Sequence, residues 1–145
     1  MSGVLTLSYW ALANRTPVEE RVRVSNQKPP GIDVSYSYTA LYPDKNTIFY
    51  PYKRGEIDWE VYAKRYITQL YTTGHNELWD MLSKLQDGKD LTIFCYESSA
   101  PCHRFIIGEL AHRLGHKVLI ATKNGTKEFT KDDYIFMLGD DCVEV

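Results

Sequence analysis

The residues able to do chemistry crowd into one short run. Phe94-Cys95-Tyr96-Glu97 is followed by Ser98-Ser99-Ala100-Pro101 and then by Cys102-His103-Arg104. Together they offer thiols, a carboxylate, an imidazole and a guanidinium, which is material for nucleophilic attack, acid–base work and an anion clamp. Leu91-Thr92-Ile93-Phe94-Cys95-Tyr96 is nearly all apolar, as in a strand covered on both faces. A helix is expected from about Pro101 to Leu114. Ligands of open parallel sheets bind outside the carboxyl ends of the strands, where Cys95 and Glu97 fall. Their spacing points both side chains to one side if the strand persists. The first N–H groups of the following helix are an anion site in their own right.

A helical wheel orients the set. Ile106, Ile107, Leu110, Ala111 and Leu114 form the buried stripe, and His103 falls near its middle. His103 is therefore expected to face the sheet and Glu97, a contact that would hold its tautomer and raise its basicity. Arg104 falls off one edge and is expected to reach across the strand ends into a cleft. Cys102 lies on the opposite flank, where a helix start favours the thiolate. The candidate catalytic residues are His103, Glu97 and Cys102. The candidate ligand-binding residues are Arg104, Ser98, Ser99, Tyr9 and Tyr52.

Plainer readings compete. His103 bonded only to a backbone carbonyl and Cys95 acting as a small core hydrophobe both suit a buried segment. A zinc site from Cys95, Cys102 and His103 is set aside, because no Cys-x-x-Cys or His-x3-His pair accompanies it. No metal is assigned. The stretch from Cys95 to Arg104 is too long for the loop of cysteine-dependent phosphatases. No Walker loop and no Gly-x-Gly-x-x-Gly occurs, so no cofactor is expected.

Several elements must position this run. Gly3 to Tyr9 reads as a first strand. Residues 11–26 mix helix and strand signals, and Lys28-Pro29-Pro30-Gly31 is a loop. Ile32-Val34-Tyr36-Tyr38 alternates with polar residues as a half-buried strand. Leu41 to Gly55 reads as a long tyrosine-rich loop in which Tyr50-Pro51-Tyr52-Lys53-Arg54 sets aromatics beside cations. Asp58 caps a helix to about Thr73 with Trp59, Tyr62, Ala63, Tyr66, Ile67 and Leu70 on one face. Asn76 opens a second helix that ends at Gly88. Lys117 to Ala121 is the next strand, so residues 91–121 form a strand–helix–strand crossover. Asn124-Gly125 is a turn, and Thr130 with Asp133 caps a short final helix through Leu138. The expected fold is α/β, a single domain over 1–145 with a mostly parallel central sheet flanked by helices, a Rossmann-like three-layer sandwich. The core covers about 4–122, with a C-terminal extension over 123–145.

Composition narrows the classes. The chain has 145 residues, a net charge of −2 and 13% aromatics, including eleven Tyr. Such a charge provides no global field for gripping nucleic acid, although Lys53, Arg54, Lys64 and Arg65 leave a local patch conceivable. Three cysteines, an odd number, argue against a secreted disulfide framework. No apolar run reaches membrane-spanning length and no leader pattern opens the chain, so a cytoplasmic setting and no membrane partner are expected. A homodimer is left open.

The pair Cys95-Tyr96-Glu97 and Cys102-His103-Arg104 resembles the signature of the domain of unknown function 488 family, in which Cys-x-Glu precedes a Cys-His-Arg that opens a helix. Pro29-Pro30-Gly31, the tract Tyr52-Lys53-Arg54-Gly55-Glu56-Ile57 and the helix Trp59-Glu60-Val61-Tyr62-Ala63-Lys64-Arg65-Tyr66 are similar to its shorter subgroup. The likeness spans about 4–122. In Thr6-Leu7-Ser8-Tyr9-Trp10, Ser8 stands where members often carry glycine, so the backbone there approaches a ligand less closely. The resemblance implies that residues 95–104 act as one unit and names no reaction. The leading expectation is binding of a small anionic, nucleotide-like phosphorylated ligand at this unit. The alternatives are a nucleotide- or nucleic-acid-processing enzyme using His103 and Glu97, and an interaction or sequestering protein acting on a nucleotide signal.

Overall fold

The computed structural model describes residues 3–96 and 102–134. In chain order the elements are β1 (Val4–Tyr9), β2 (Arg21–Arg23), β3 (Tyr36–Ser37), α1 (Tyr50–Lys53), α2 (Trp59–Tyr71), α3 (His75–Gln86), β4 (Leu91–Cys95), α4 (His103–Arg113), β5 (Lys117–Thr122) and β6 (Gly125–Glu128). Apolar β4 is buried along its whole length, as its composition requires, because it lies between β2 and β1 in the sheet. The strand order is β3-β2-β4-β1-β5-β6. Five strands run parallel. β6 turns back antiparallel to β5 through the expected Asn124-Gly125 turn. The sheet is thus mixed, and the architecture is α/β. The crossover from β4 through α4 reaches β5 by passing over β1 rather than landing beside its own starting strand.

Local chemistry sets the helix ends. The Asp58 carboxylate accepts from the Val61 N–H at 2.9 Å and starts α2. The face Tyr62, Ala63, Tyr66, Ile67 and Leu70 is buried, with Trp59 half-buried at its start. The N-cap of α3 is Gly74, two residues before the Asn76 cap that the sequence suggests, and the helix buries Leu78, Met81, Leu82 and Leu85. Gly115 ends α4 at φ 93°, a conformation that glycine adopts without penalty. Thr130 and Asp133 form the expected capping box over Lys131–Asp133. Residues 135–138, the rest of that expected helix, lie outside the described residues.

Two expectations are corrected. The alternating segment 32–38 contributes only Tyr36–Ser37 to the sheet, while Ile32 and Val34 pack on a small cluster of Trp10, Ala13 and Phe94. Its periodicity reflects that packing more than a ladder. The supposed loop 41–55 is helical over Lys45–Lys53, because Asp44 caps the Thr47 N–H and Pro51 sits in the first turn of α1, where its missing N–H costs nothing. The ambiguous stretch before β2 resolves into both of its signals, with 3-10 turns at Trp10–Arg15 and Val18–Glu20 followed by the strand.

Candidate functional site

The carboxyl ends of β2 and β4 lie side by side because the two strands are parallel, with Arg23 in register with Phe94. The chain leaving β2 and the N-terminus of α4 meet there. A pocket opens at this edge. Its described lining comprises Ser25, Asn26 and Gln27 after β2; Cys95 and Tyr96 at the end of β4; Cys102 and His103 at the start of α4; Pro43 from a link; and Phe49, Tyr52, Lys53, Trp59 and Tyr62 from the helical segments above. The volume is about 90 Å³, room for one small group.

The pocket wall is aromatic. Trp59 stacks on Tyr62 at 4.8 Å, and Tyr52 meets the Tyr62 ring edge-on at 5.0 Å. Tyr66 continues the row and contacts the His103 ring edge-on at 5.4 Å. The Tyr66 hydroxyl donates to the Leu41 carbonyl at 2.6 Å, and burial raises its pKa well above the ordinary tyrosine value. Lys53 stands exposed at the mouth, with its ammonium 5.6 Å from the Phe49 ring centre.

His103 closes the floor. Its Nε2 lies 2.8 Å from the Val24 carbonyl oxygen. A carbonyl only accepts, so Nε2 carries a proton and donates it, and Nδ1 is the ring nitrogen turned to the sulfurs. Nδ1 lies 3.5 Å from Cys95 Sγ and 3.6 Å from Cys102 Sγ. The structure joins Cys95 and Cys102 in a disulfide, with Cα atoms 7.4 Å apart. All three residues are buried.

The structure rearranges the set read from sequence. His103 and Cys102 line the pocket together with Tyr52. Glu97, Ser98 and Ser99 lie outside the described residues. Among the described residues, Arg104 lines no cleft. It is 1% exposed, its guanidinium sits 4.7 Å over the Phe105 ring, and it is absent from the described lining. The wheel assumed a solvent-facing edge, but His103 through Ala111 are buried all round, and Leu114, placed in the buried stripe, is 45% exposed. Tyr9 ends β1 in register with Cys95 and is 6% exposed. It misses the described lining because β1 flanks β4 on the side away from β2. Cys95 is more than a packing residue, since its sulfur faces an imidazole. The Cys95, Cys102 and His103 cluster set aside for want of a Cys-x-x-Cys pair does assemble. The pairing rule misses it because one ligand atom ends a strand and the others start a helix.

Sequence reasoning assigned no pocket role to Ser25–Gln27, Phe49, Trp59 or Tyr62, and it weighed Lys53 only as part of a nucleic-acid patch. The usable signal was the aromatic–cation tract 50–54. Arg54 of that patch pairs with Glu56 at 2.6 Å, and Lys64 lies 3.3 Å from Glu60. Among the described residues no helix is long and apolar enough to cross a membrane.

Comparison with known proteins adds one finding. No curated protein and no solved structure matches the chain. Residues 9–114 match the family model described as the active DUF488-N3 subclade, a span that begins at the last residue of β1 and includes the aromatic wall and the Cys95–His103 floor. The chain belongs to the DUF488 family.

Proposed function

We propose that the chain binds a small anionic, nucleotide-like ligand in the pocket at the carboxyl edge of β2 and β4. The observation that carries this reading is the pairing of an aromatic wall with a cation at one mouth. Trp59, Tyr62, Tyr52 and Phe49 surround the opening, and Lys53 stands beside them. Stacking of a base on an aromatic face contributes about 1–3 kcal/mol. An exposed ammonium suits a phosphate that stays partly solvated. Asn26 and Gln27 provide hydrogen-bonding groups at the rim.

The test is thermal stability against nucleoside mono-, di- and triphosphates, with inorganic phosphate as the control. A nucleotide at a hundred times its Kd raises folding stability by about 2.7 kcal/mol, a shift of several degrees. Lys53→Ala is the clean variant because the side chain is exposed, and about a tenfold loss of affinity is expected, or ~1.4 kcal/mol. Absence of any nucleotide-induced shift at millimolar concentration, with the chain folded, would refute the proposal.

A second reading, turnover of the ligand, has its own support. The His103 imidazole and the Cys102 sulfur border the same pocket, and the matched subclade is described as active. Product formation from the nucleotide panel, abolished in His103→Asn, would favour it; recovery of unaltered ligand would leave a binding protein.

A further inference from the structure

We propose that Cys95, Cys102 and His103 form a three-ligand site for a zinc-class divalent ion, with the fourth coordination position facing the pocket. The inference stands apart from the nucleotide reading, since it uses the pocket's floor and none of its wall.

Three observations support it. The first is the donor set. Two sulfurs and one imidazole nitrogen, all buried, lie within 4.8 Å of one another. Thiolate and imidazole ligands select zinc over hard cations such as magnesium or calcium.

The second is the tautomer. The Val24 carbonyl engages Nε2–H at 2.8 Å and turns Nδ1 to the side of the sulfurs. Zinc-ligating histidines commonly donate their other N–H to a carbonyl in this manner, which fixes the ring for coordination.

The third is spacing. With Zn–S about 2.3 Å and Zn–N about 2.0 Å, a tetrahedral site places sulfur and nitrogen roughly 3.5 Å apart. The Nδ1–Sγ separations are 3.5 and 3.6 Å. The Cys95–Cys102 disulfide spans Cα atoms 7.4 Å apart, wider than such bonds usually bridge, and a thiol or phosphine reductant must open it, delivering two electrons, before both sulfurs can hold the ion as thiolates. Two thiolates on one zinc hold their sulfurs roughly 3.8 Å apart and accept that wider spacing. Two adjustments are required: the sulfurs must move apart to that spacing, and Cys95 must turn. Cys95 Sγ is also 3.7 Å from Nε2, so it lies toward the ring face and must swing to the Nδ1 side as the ion enters.

Three ligands among the described residues, with a fourth position open to the pocket, match the pattern of catalytic rather than structural zinc. Cys95, Cys102 and His103 all line the pocket, which directs that position to where the ligand would sit. The start of α4 adds its positive dipole end beside Cys102 and favours the thiolate.

The experiment uses the full chain, purified under a phosphine reductant and stripped of metal, then titrated with Co²⁺ and with Zn²⁺. The expected result is one ion per chain, visible-region absorption of tetrahedral cobalt with a thiolate charge-transfer band, and loss of both bands on addition of one equivalent of zinc. Cys95→Ser and Cys102→Ser should each weaken zinc binding at least a hundredfold. Because Cys95 is buried in β4 and its variant could fail to fold, the wild-type chain provides a second readout. Zinc should slow alkylation of Cys95 and Cys102 at least tenfold, measured peptide by peptide, and leave Cys142 unchanged. Cobalt bound only with octahedral, sulfur-free spectra would overturn the proposal. So would equal alkylation of all three cysteines with and without zinc, or a folded chain isolated under reductant that binds no stoichiometric ion.

Discussion

His103 is the residue through which distant parts of the chain meet. Its ring joins the Val24 carbonyl, the two sulfurs and the edge of Tyr66 in one buried locus. Tyr66 in turn is held by its hydroxyl, which donates to the Leu41 carbonyl at 2.6 Å in a fully buried setting. Removing that donor leaves a buried carbonyl without its partner, a cost of about 1–3 kcal/mol. Tyr66→Phe should therefore lower unfolding stability by an amount in this range and leave the far-ultraviolet circular dichroism unchanged. A urea midpoint equal to that of the parent would show that water reaches Leu41 freely. The hydroxyl is not expected to ionise in the accessible pH range, because burial holds its pKa well above ordinary tyrosine.

At the scale of elements, α4 must lie close to β1 for its first turn to reach the strand ends. Gly108 makes that approach possible. A Cβ at this position would stand 2.6 Å from Leu7 Cδ1 and 3.1 Å from Leu7 Cδ2, and Leu7 is itself fully buried. Two effects oppose each other in Gly108→Ala. Helix propensity favours alanine by about 1 kcal/mol. Overpacking against a side chain with nowhere to move costs about 1–3 kcal/mol. The second should win, giving a net destabilisation on the order of 1 kcal/mol in denaturant unfolding, together with a small displacement of α4 that weakens any ligand held at its N-terminus. A more stable variant would mean that Leu7 repacks without cost.

At the scale of the whole molecule, the segment carrying β3 is tied to α3 by a polar triad. The Tyr38 hydroxyl donates to Asp80 at 2.6 Å, Lys84 donates to the Tyr38 oxygen at 3.0 Å, and Lys84 also pairs with Asp80. Burial first, then the hydrogen bond to Asp80, push the Tyr38 pKa from 10.0 up to about 12. A folded-state pKa above the unfolded value means stability that is intact below pH 10 and is lost as pH climbs towards 12. Other tyrosines and lysines titrate there too, so the difference between the parent chain and Tyr38→Phe is the informative quantity. The parent should lose stability relative to the variant across that window, measured by denaturant unfolding at successive pH values. Parallel curves would remove Tyr38 as the cause.

Some of this protein was legible from its amino acids alone. The Asp58 cap, the faces of α2 and α3, the buried run of β4 and the stop at Gly115 follow from hydrogen bonds and burial periods completed within a few residues. The same locality marked Cys95 through Arg104 as one unit. What needed the tertiary structure is whatever depends on residues far apart in sequence. The partner of the His103 Nε2–H is the Val24 carbonyl, 79 positions away, and no local pattern encodes that pairing. Arg104 is buried because α4 is covered on every side near its start, and a helical wheel sees only one helix. The pocket itself exists because β2 lies beside β4, a strand order that burial patterns do not specify since either neighbour would cover β4 equally well. The amino acids supplied the chemistry at residues 95–104; the order of the strands decided which groups that chemistry faces.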